Sequence, residues 1–306
     1  MTRFLLDSGD PDEFREIAKR AKEAPNGASL WGATTNPSLI AKKLSGKKVI
    51  QSKAFELQEQ IVLKILGIVP GAVSAEVYAD EQTKAENMVA QGRQITTWHE
   101  RVVVKLPTTI EGFKARTQLR GEKVPINNTL VFSQKQIFAI CLHENIIQKL
   151  HGPIENTYPP FISPFVGRLD DIGEDGMNVV EQGMKIKRMF EDAPPGASPW
   201  MLEASVRHTG HLKAGLELGV ELLTAPAKVY REWFALSIEE QEKINPATHS
   251  QRLQKKPYWN PPGELRAITT IEGFMEAIES GALNIAHELT DKGLTKFAQD
   301  WKAILA

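Results

Sequence analysis

R-V-V-V-K-L-P-T-T, residues 101–109, sets three consecutive valines before Lys105 and a leucine after it. Such a run describes a strand buried on both faces, as in a parallel sheet covered by helices. Side chains alternate along a strand, so Val102, Val104 and Leu106 share one face while Val103 and Lys105 share the other. The lysine amine is thereby placed where water is scarce. Desolvation disfavours the ammonium form and lowers its pKa, which is how a lysine becomes a nucleophile toward a carbonyl carbon. The plainer reading is a lysine near a strand end whose stem is buried and whose head stays in water.

Runs at 3–7, 29–35, 72–78, 101–107, 124–132, 161–168, 200–206 and 222–229 read as strands. Helical patterns lie between them, clearest at 12–23, 54–67, 81–98, 134–150 and 178–190. Asp10-Pro11 and Thr35-Asn36-Pro37-Ser38 combine capping side chains with a proline at the first helical position. Eight β/α units in about 230 residues is the arithmetic of a (β/α)8 TIM barrel, so the expected fold is α/β of that kind with a C-terminal extension. A doubly wound sheet would more often carry G-x-G-x-x-G after its first strand, and that motif is absent. Residues 1–236 are expected to form the barrel and carry the active site. Residues 237–306 are expected to be an extension and docking helix of the same domain. Within it, 238–244 is charged, 254–263 is broken by prolines, and 269–278 and 291–305 read as helices. Tyr258, Trp259 and Trp301 call for packing partners, in the barrel or in a neighbouring subunit.

The 306 residues carry 37 basic and 38 acidic side chains, a balance that gives no case for nucleic-acid binding or for attraction to a membrane surface. Hydrophobic content of 42% and charged content of 25% are those of an ordinary soluble globule with a sizeable core. Neither a signal core nor a bilayer-spanning run is present, so the cytoplasm is expected. Cys141, the single cysteine, lies in an apolar helical run and reads as a buried structural thiol.

Polar residues fall on one parity in several strands. Asp7 ends Phe4-Leu5-Leu6; Ser74 and Glu76 alternate with Val73, Ala75 and Val77; Asn127 and Thr129 share a face. Ser163, Phe165 and Gly167 do so too, and Glu203, Ser205 and Arg207 alternate with Ala204 and Val206. In a barrel one parity points to the axis, so these groups are expected to converge near the carboxyl ends of the strands, where barrel enzymes place their chemistry. A single polar residue there is more often structural, but the pattern repeats over five strands. Asn128 has the opposite parity and needs a hydrogen-bond partner in the helix layer.

D-S-G-D (7–10), W-G-A-T-T-N-P-S-L-I (31–40), V-S-A-E-V (73–77), V-V-V-K-L-P-T-T (102–109), N-N-T-L-V-F-S (127–133), I-S-P-F-V-G-R (162–168) and E-A-S-V-R (203–207) together resemble transaldolase, of the class I aldolase superfamily and close to fructose-6-phosphate aldolase. K-F-A-Q-D-W (296–301) resembles that family's C-terminal end, whereas 237–287 has no counterpart in its compact members. The resemblance implies a Schiff base on Lys105, with Asp7 moving the C4 hydroxyl proton and Glu76 and Thr129 holding the water of carbinolamine formation. It implies Asn36, Asn127 and Ser163 as partners of substrate hydroxyls, and Arg168, Ser205 and Arg207 as the phosphate site. The implied reaction takes sedoheptulose 7-phosphate and glyceraldehyde 3-phosphate to erythrose 4-phosphate and fructose 6-phosphate. It needs no metal and no cofactor, and sugar phosphates are the expected partners; a homo-oligomer stays open. His208 and His211, spaced i, i+3, lack a carboxylate at zinc-site spacing. The fructose-6-phosphate aldolase branch carries glutamine at position 76 and tyrosine at 165. The pair here is Glu76 and Phe165, as in transaldolase, with release of free dihydroxyacetone as the alternative.

Overall fold

In the computed structural model, which describes residues 2–25, 27–44, 48–152, 158–190 and 198–306, parallel strands close into a barrel in sequence order, the eighth pairing back to the first. The elements run β1 (Arg3–Asp7), α1 (Pro11–Glu23), β2 (Leu30–Thr34), α2 (Pro37–Lys43), α3 (Gln51–Leu66), β3 (Val73–Glu76), α4 (Ala85–Thr96), β4 (Val102–Pro107) and α5 (Ile110–Gly121). Next come β5 (Ile126–Val131), α6 (Gln134–His151), β6 (Phe161–Pro164), α7 (Val166–Asp170), α8 (Gly176–Arg188), β7 (Trp200–Glu203), α9 (Thr209–Leu218), β8 (Leu222–Ala225) and α10 (Ala227–Ala235). The rest of the chain forms α11 (Ile238–Lys243), α12 (Ala247–Ser250), α13 (Gly263–Arg266), α14 (Ile271–Glu279) and α15 (Glu288–Lys302). Among the described residues no helix is long and apolar enough to cross a membrane. This is the TIM-barrel fold expected from the sequence.

The local signals act as expected. Asp10 caps α1 by accepting from Asp12 N at 3.0 Å, and Asn36 caps α2 by accepting from Leu39 N at 2.9 Å, each ahead of a proline at the helix start. Val104 faces α4, packing near Gly92, so its neighbours Val103 and Lys105 face the axis. Asn128 finds its hydrogen-bond partner in the neighbouring strand rather than in the helix layer, donating to Phe161 O of β6 at 2.8 Å.

Most strands are shorter than the sequence suggests, and three of them end three or four residues early. The run 161–168 is strand only to Pro164 and then turns into α7, so Arg168 sits on a helix. The run 200–206 ends as strand at Glu203, and 222–229 at Ala225. α5, α9 and α10 complete β/α units but are not among the clearest helical patterns, and α5 buries Arg116 and Arg120, both 1% exposed, on the face where apolar residues would signal a helix. Both arginines pair with Glu144 of α6, at 2.8 Å and 2.5 Å.

The amino-terminal end of the barrel is plugged. The Arg3 guanidinium lies 5.3 Å from the Trp31 ring and 4.7 Å from the Trp200 ring, and Phe161 stacks on Trp200. The polar groups are left to the opposite end. After α10 the chain wraps the outside of the barrel. Gln254 pairs its backbone with Gly173 and Asp175; Gln134 holds Pro257 O and Trp259 N; Phe274 of α14 packs on Phe113 and His143. The wrap ends in α15, which crosses the carboxyl end of the barrel against α2 and β5. Gly293 permits that crossing, because a Cβ there would lie 2.5 Å from Leu130 and 2.8 Å from Arg168. Trp259 packs on Phe138 and Trp301 is buried, so both find partners in their own chain, while Tyr258 is exposed. Cys141 is buried in α6, and burial pushes its thiol up to about 12.

Candidate active site

Lys105 ends the inward face of β4, and the register places it beside Glu76 of β3 and Asn127 of β5. Its Nζ stands 3.0 Å from Glu76 Oε2 and donates to Thr35 O at 3.2 Å, and the Lys105 and Glu76 side chains are 4% and 3% exposed. The wet, snorkelling lysine is thereby excluded. Burial pushes the Glu76 carboxyl up from its ordinary value, while the Lys105 charge pulls it down again. Asp7, at the end of β1, is shifted the same way by burial, opposed by Lys105, by the Thr34 hydroxyl at 2.7 Å and by Arg168. Thr34 in turn shares a 2.7 Å hydrogen bond with Thr224 of β8.

Above these groups lies a cavity of about 220 Å³ lined by Asp7, Asn36, Lys105, Ser163, Phe165, Arg168, Ser205 and Arg207, among others. The Phe165 ring faces Lys105 Nζ at 5.9 Å and Arg168 at 5.5 Å, and Phe297 of α15 covers Arg168 at 5.3 Å. Burial and the neighbouring Arg207 charge press the Arg168 guanidinium below its ordinary pKa. Two arginines facing one small cavity make a receptor for an anion that can take forked hydrogen bonds.

The whole chain from residue 4 to residue 306 matches the family model described as transaldolase/fructose-6-phosphate aldolase. The chain belongs to that family. A protein named "Probable transaldolase" from Brevibacillus brevis is 34% identical over 233 residues, covering 76% of this chain and 90% of that protein. Its namesakes from Heliobacterium modesticaldum and Desulforudis audaxviator are 35% identical over 227 residues and 36% over 226, covering 74% of this chain each, and 87% and 86% of those proteins.

Against that family membership, the sequence-derived site residues sort into two groups. Those that line the cavity are Asp7, Asn36, Lys105, Ser163, Phe165, Arg168, Ser205 and Arg207. Asn36 spends its side-chain oxygen on the α2 cap and has only its amide N–H groups to offer the cavity. Glu76, Asn127 and Thr129 do not line it. Glu76 meets the cavity only through its ion pair with Lys105. Asn127 is fully buried, donating to Ser74 Oγ at 3.0 Å and accepting from Ser163 Oγ at 2.6 Å, so its reach toward a ligand runs through Ser163. The Thr129 hydroxyl is buried with no hydrogen-bond partner among the described residues. Leu130, the next residue, has φ 57° and shifts the β5 register against β6.

On β7 the expected inward parity of Glu203 fails. Its carboxylate points away from the cavity toward α9, where a Cβ on Gly215 would fall 1.8 Å from Oε2. Leu202 and Ala204 line the cavity instead. Strand geometry stops at Glu203, and Ser205 has φ 59°, so alternation cannot be carried across to Ser205 and Arg207. Several lining residues escaped the sequence reading, among them Thr34, Thr224 and Phe297. Thr34 alternates with Gly32 on the inward face of β2 and could have been found by parity; Phe297 arrives from a distant helix and carries no local signal.

The fold supplies the carboxylate that the His208/His211 spacing lacked: Asp170 of α7 offers an oxygen within 4.8 Å of both rings' nitrogens. The hydrogen bonds run against a metal there. Nδ1 of His211 accepts from Arg207 N at 3.3 Å, Nδ1 of His208 accepts from His211 N at 3.2 Å, and His211 Nε2 lies 2.7 Å from Asp170 Oδ2. Those partners put each ring's proton on Nε2. A ligating imidazole does the reverse, donating from the nitrogen that the metal does not hold.

Proposed function

We propose that this enzyme of the transaldolase/aldolase family transfers a dihydroxyacetone unit between sugar phosphates through a Schiff base on Lys105. The observation that carries the reading is the buried Lys105 amine, 3.0 Å from Glu76, in a cavity shared with Asp7 and rimmed by Arg168 and Arg207. Before attack the ammonium gives its proton to Glu76, whose proton affinity burial has raised. The amine adds to the ketone C2 of a ketose phosphate held at its phosphate by Arg168, Ser205 and Arg207. As the carbinolamine forms its nitrogen gives up a proton, and its hydroxyl then takes a proton and leaves as water, giving an iminium. Thr129, with a buried hydroxyl in want of a partner, suits a water passed between it and Glu76. Asp7 removes the C4 hydroxyl proton, the C3–C4 bond breaks, and its electrons move into the iminium to leave an enamine. The aldose departs and a second aldehyde takes its place. The enamine C3 attacks it, Asp7 returns the proton, and water frees the amine. No step needs a metal or a cofactor, because the iminium is the electron sink.

Phe165 over the amine favours transfer above release. A phenyl ring cannot pass a proton to the enamine, so the enamine waits for an aldehyde. Borohydride reduction with fructose 6-phosphate tests the covalent step. The expected product is one reduced adduct on the peptide containing Lys105, absent in Lys105→Ala. No adduct in the wild type would remove the mechanism. Fructose 6-phosphate turnover that ignores added erythrose 4-phosphate would assign the enzyme to the aldolase branch instead.

A further inference from the structure

The segment between β7 and α9 carries Ser205 and Arg207, and its backbone is strained at Ser205, with φ 59°. A non-glycine residue persists there only where its surroundings impose it. The surroundings are α7 and its end. Val166 N donates to Ala204 O at 3.0 Å and Gly167 N to Ser205 O at 3.1 Å. Beyond those bonds stands a relay of side chains. Asp170 Oδ1 accepts from Gly176 N at 3.0 Å, which fixes its carboxylate at the start of α8. Asp170 Oδ2 accepts from His211 Nε2 at 2.7 Å, and His211 Nδ1 accepts from the backbone N of Arg207 at 3.3 Å. The neighbouring Asp171 takes the Arg207 guanidinium itself at 2.9 Å. Two adjacent carboxylates at the end of α7 therefore hold Arg207 at two points, one at its head and one at its main chain.

We propose that Asp170 and His211 are positioning residues of the anion clamp: they fix the Arg207 backbone so that Arg207 and Arg168 present a preset fork to the substrate phosphate. The inference rests on the phosphate role given above to Arg168 and Arg207. Its physical content is orientation. Arg168 is fixed by the rings of Phe165 and Phe297, whereas Arg207 is half exposed, and without the relay its main chain could turn away. A clamp that must be assembled on binding holds its ligand less tightly than one already assembled. The relay touches neither Lys105 nor Asp7, so its loss weakens phosphate binding and leaves the carbon chemistry unchanged.

Glucitol 6-phosphate, which has no carbonyl to form a Schiff base, probes the clamp alone, with glucitol as the phosphate-free control. Loss of a hydrogen-bonded relay predicts binding of glucitol 6-phosphate to His211→Ala about tenfold weaker than to the wild type by calorimetry. The KM for fructose 6-phosphate, with erythrose 4-phosphate as acceptor, rises by the same factor while kcat stays within about twofold. His211→Gln, whose amide can accept and donate, restores part of the loss. Asp170→Asn serves if His211→Ala fails to fold, and is expected to shift KM in the same sense. Binding within twofold of the wild type in His211→Ala, or in Asp170→Asn, overturns the inference and leaves the phosphate site standing. A wild-type protein that does not bind glucitol 6-phosphate removes the phosphate site and the relay together. A fall in kcat with binding unchanged overturns the relay alone.

Discussion

Phe165 stands between the Lys105 amine and Arg168, and its ring offers that junction no proton. Replacing it with tyrosine puts a phenol where a water could be polarised toward the enamine. Phe165→Tyr is expected to raise the rate of free dihydroxyacetone release from fructose 6-phosphate, read by an enzyme-coupled assay without acceptor; an unchanged rate refutes the partition argument. Glu203 offers a second test on a single side chain. Its carboxyl is fully buried with both oxygens unpartnered among the described residues, and burial, with some help from Asp170, raises its pKa well above 4.5. Because the folded value is raised, the group contributes stability fully below pH 4.5 and loses it as pH climbs through the folded pKa. The loss runs at up to about 1.4 kcal/mol per pH unit inside that window. Glu203→Gln is therefore expected to match the wild-type melting temperature at pH 4 and to exceed it increasingly as pH rises. Parallel melting curves across that range would show that Glu203 does not titrate on unfolding.

Between α5 and α6, Arg116, Arg120 and Glu144 form a charge cluster sealed from water. Glu144 is held below the ordinary carboxyl range by the two arginines despite the opposing effect of its burial, and burial takes Arg116 down to about 10. Removing the carboxylate leaves two buried cations unanswered, so Glu144→Gln is expected to cost about 3–5 kcal/mol, seen as a lower denaturant midpoint at unchanged m. With the Glu144 pKa lowered on folding, the cluster's stability is present above the unfolded value and fades as pH falls through the folded one. The same cluster explains why α5 was not among the clear helical patterns. Its buried face mixes Phe113, Ala115 and Leu119 with Arg116 and Arg120, and only the opposing Glu144, on another helix, reveals why. The strands were legible for the converse reason: runs such as Val102–Pro107 must bury both faces whatever packs on them. Parity located Asp7, Lys105 and Ser163, which line the cavity, and put Glu76 beside Lys105; it failed at Glu203 because it was carried back from Ser205 and Arg207, which lie beyond the strand end.

At the scale of the molecule, the ends of the barrel are unequal. Aromatic rings and Arg3 close one, while α15 and the two arginines frame the other. The route of the chain from 237 to 287 was not legible, because it is held by Gln134 and Gln136, side chains that any solvent-facing helix turn could carry. Gln136 binds Phe132 N, Ile285 O and the Thr290 hydroxyl, and so couples the β5 end to the start of α15. Phe297, the part of the wrap that reaches the cavity, depends on that coupling.

Cys141 is the chain's single thiol, and the fold has sealed it away. The native surface is therefore blank to maleimides and iodoacetamides. Lys292→Cys on the outer face of α15 gives up one exposed ion pair with Glu288, worth no more than about 1 kcal/mol. It is expected to take up one fluorophore per chain while the wild type takes up none. Such a dye would ride on the very helix that roofs the Lys105 cavity, so its emission would follow that roof as a ligand enters and leaves, without any background to subtract.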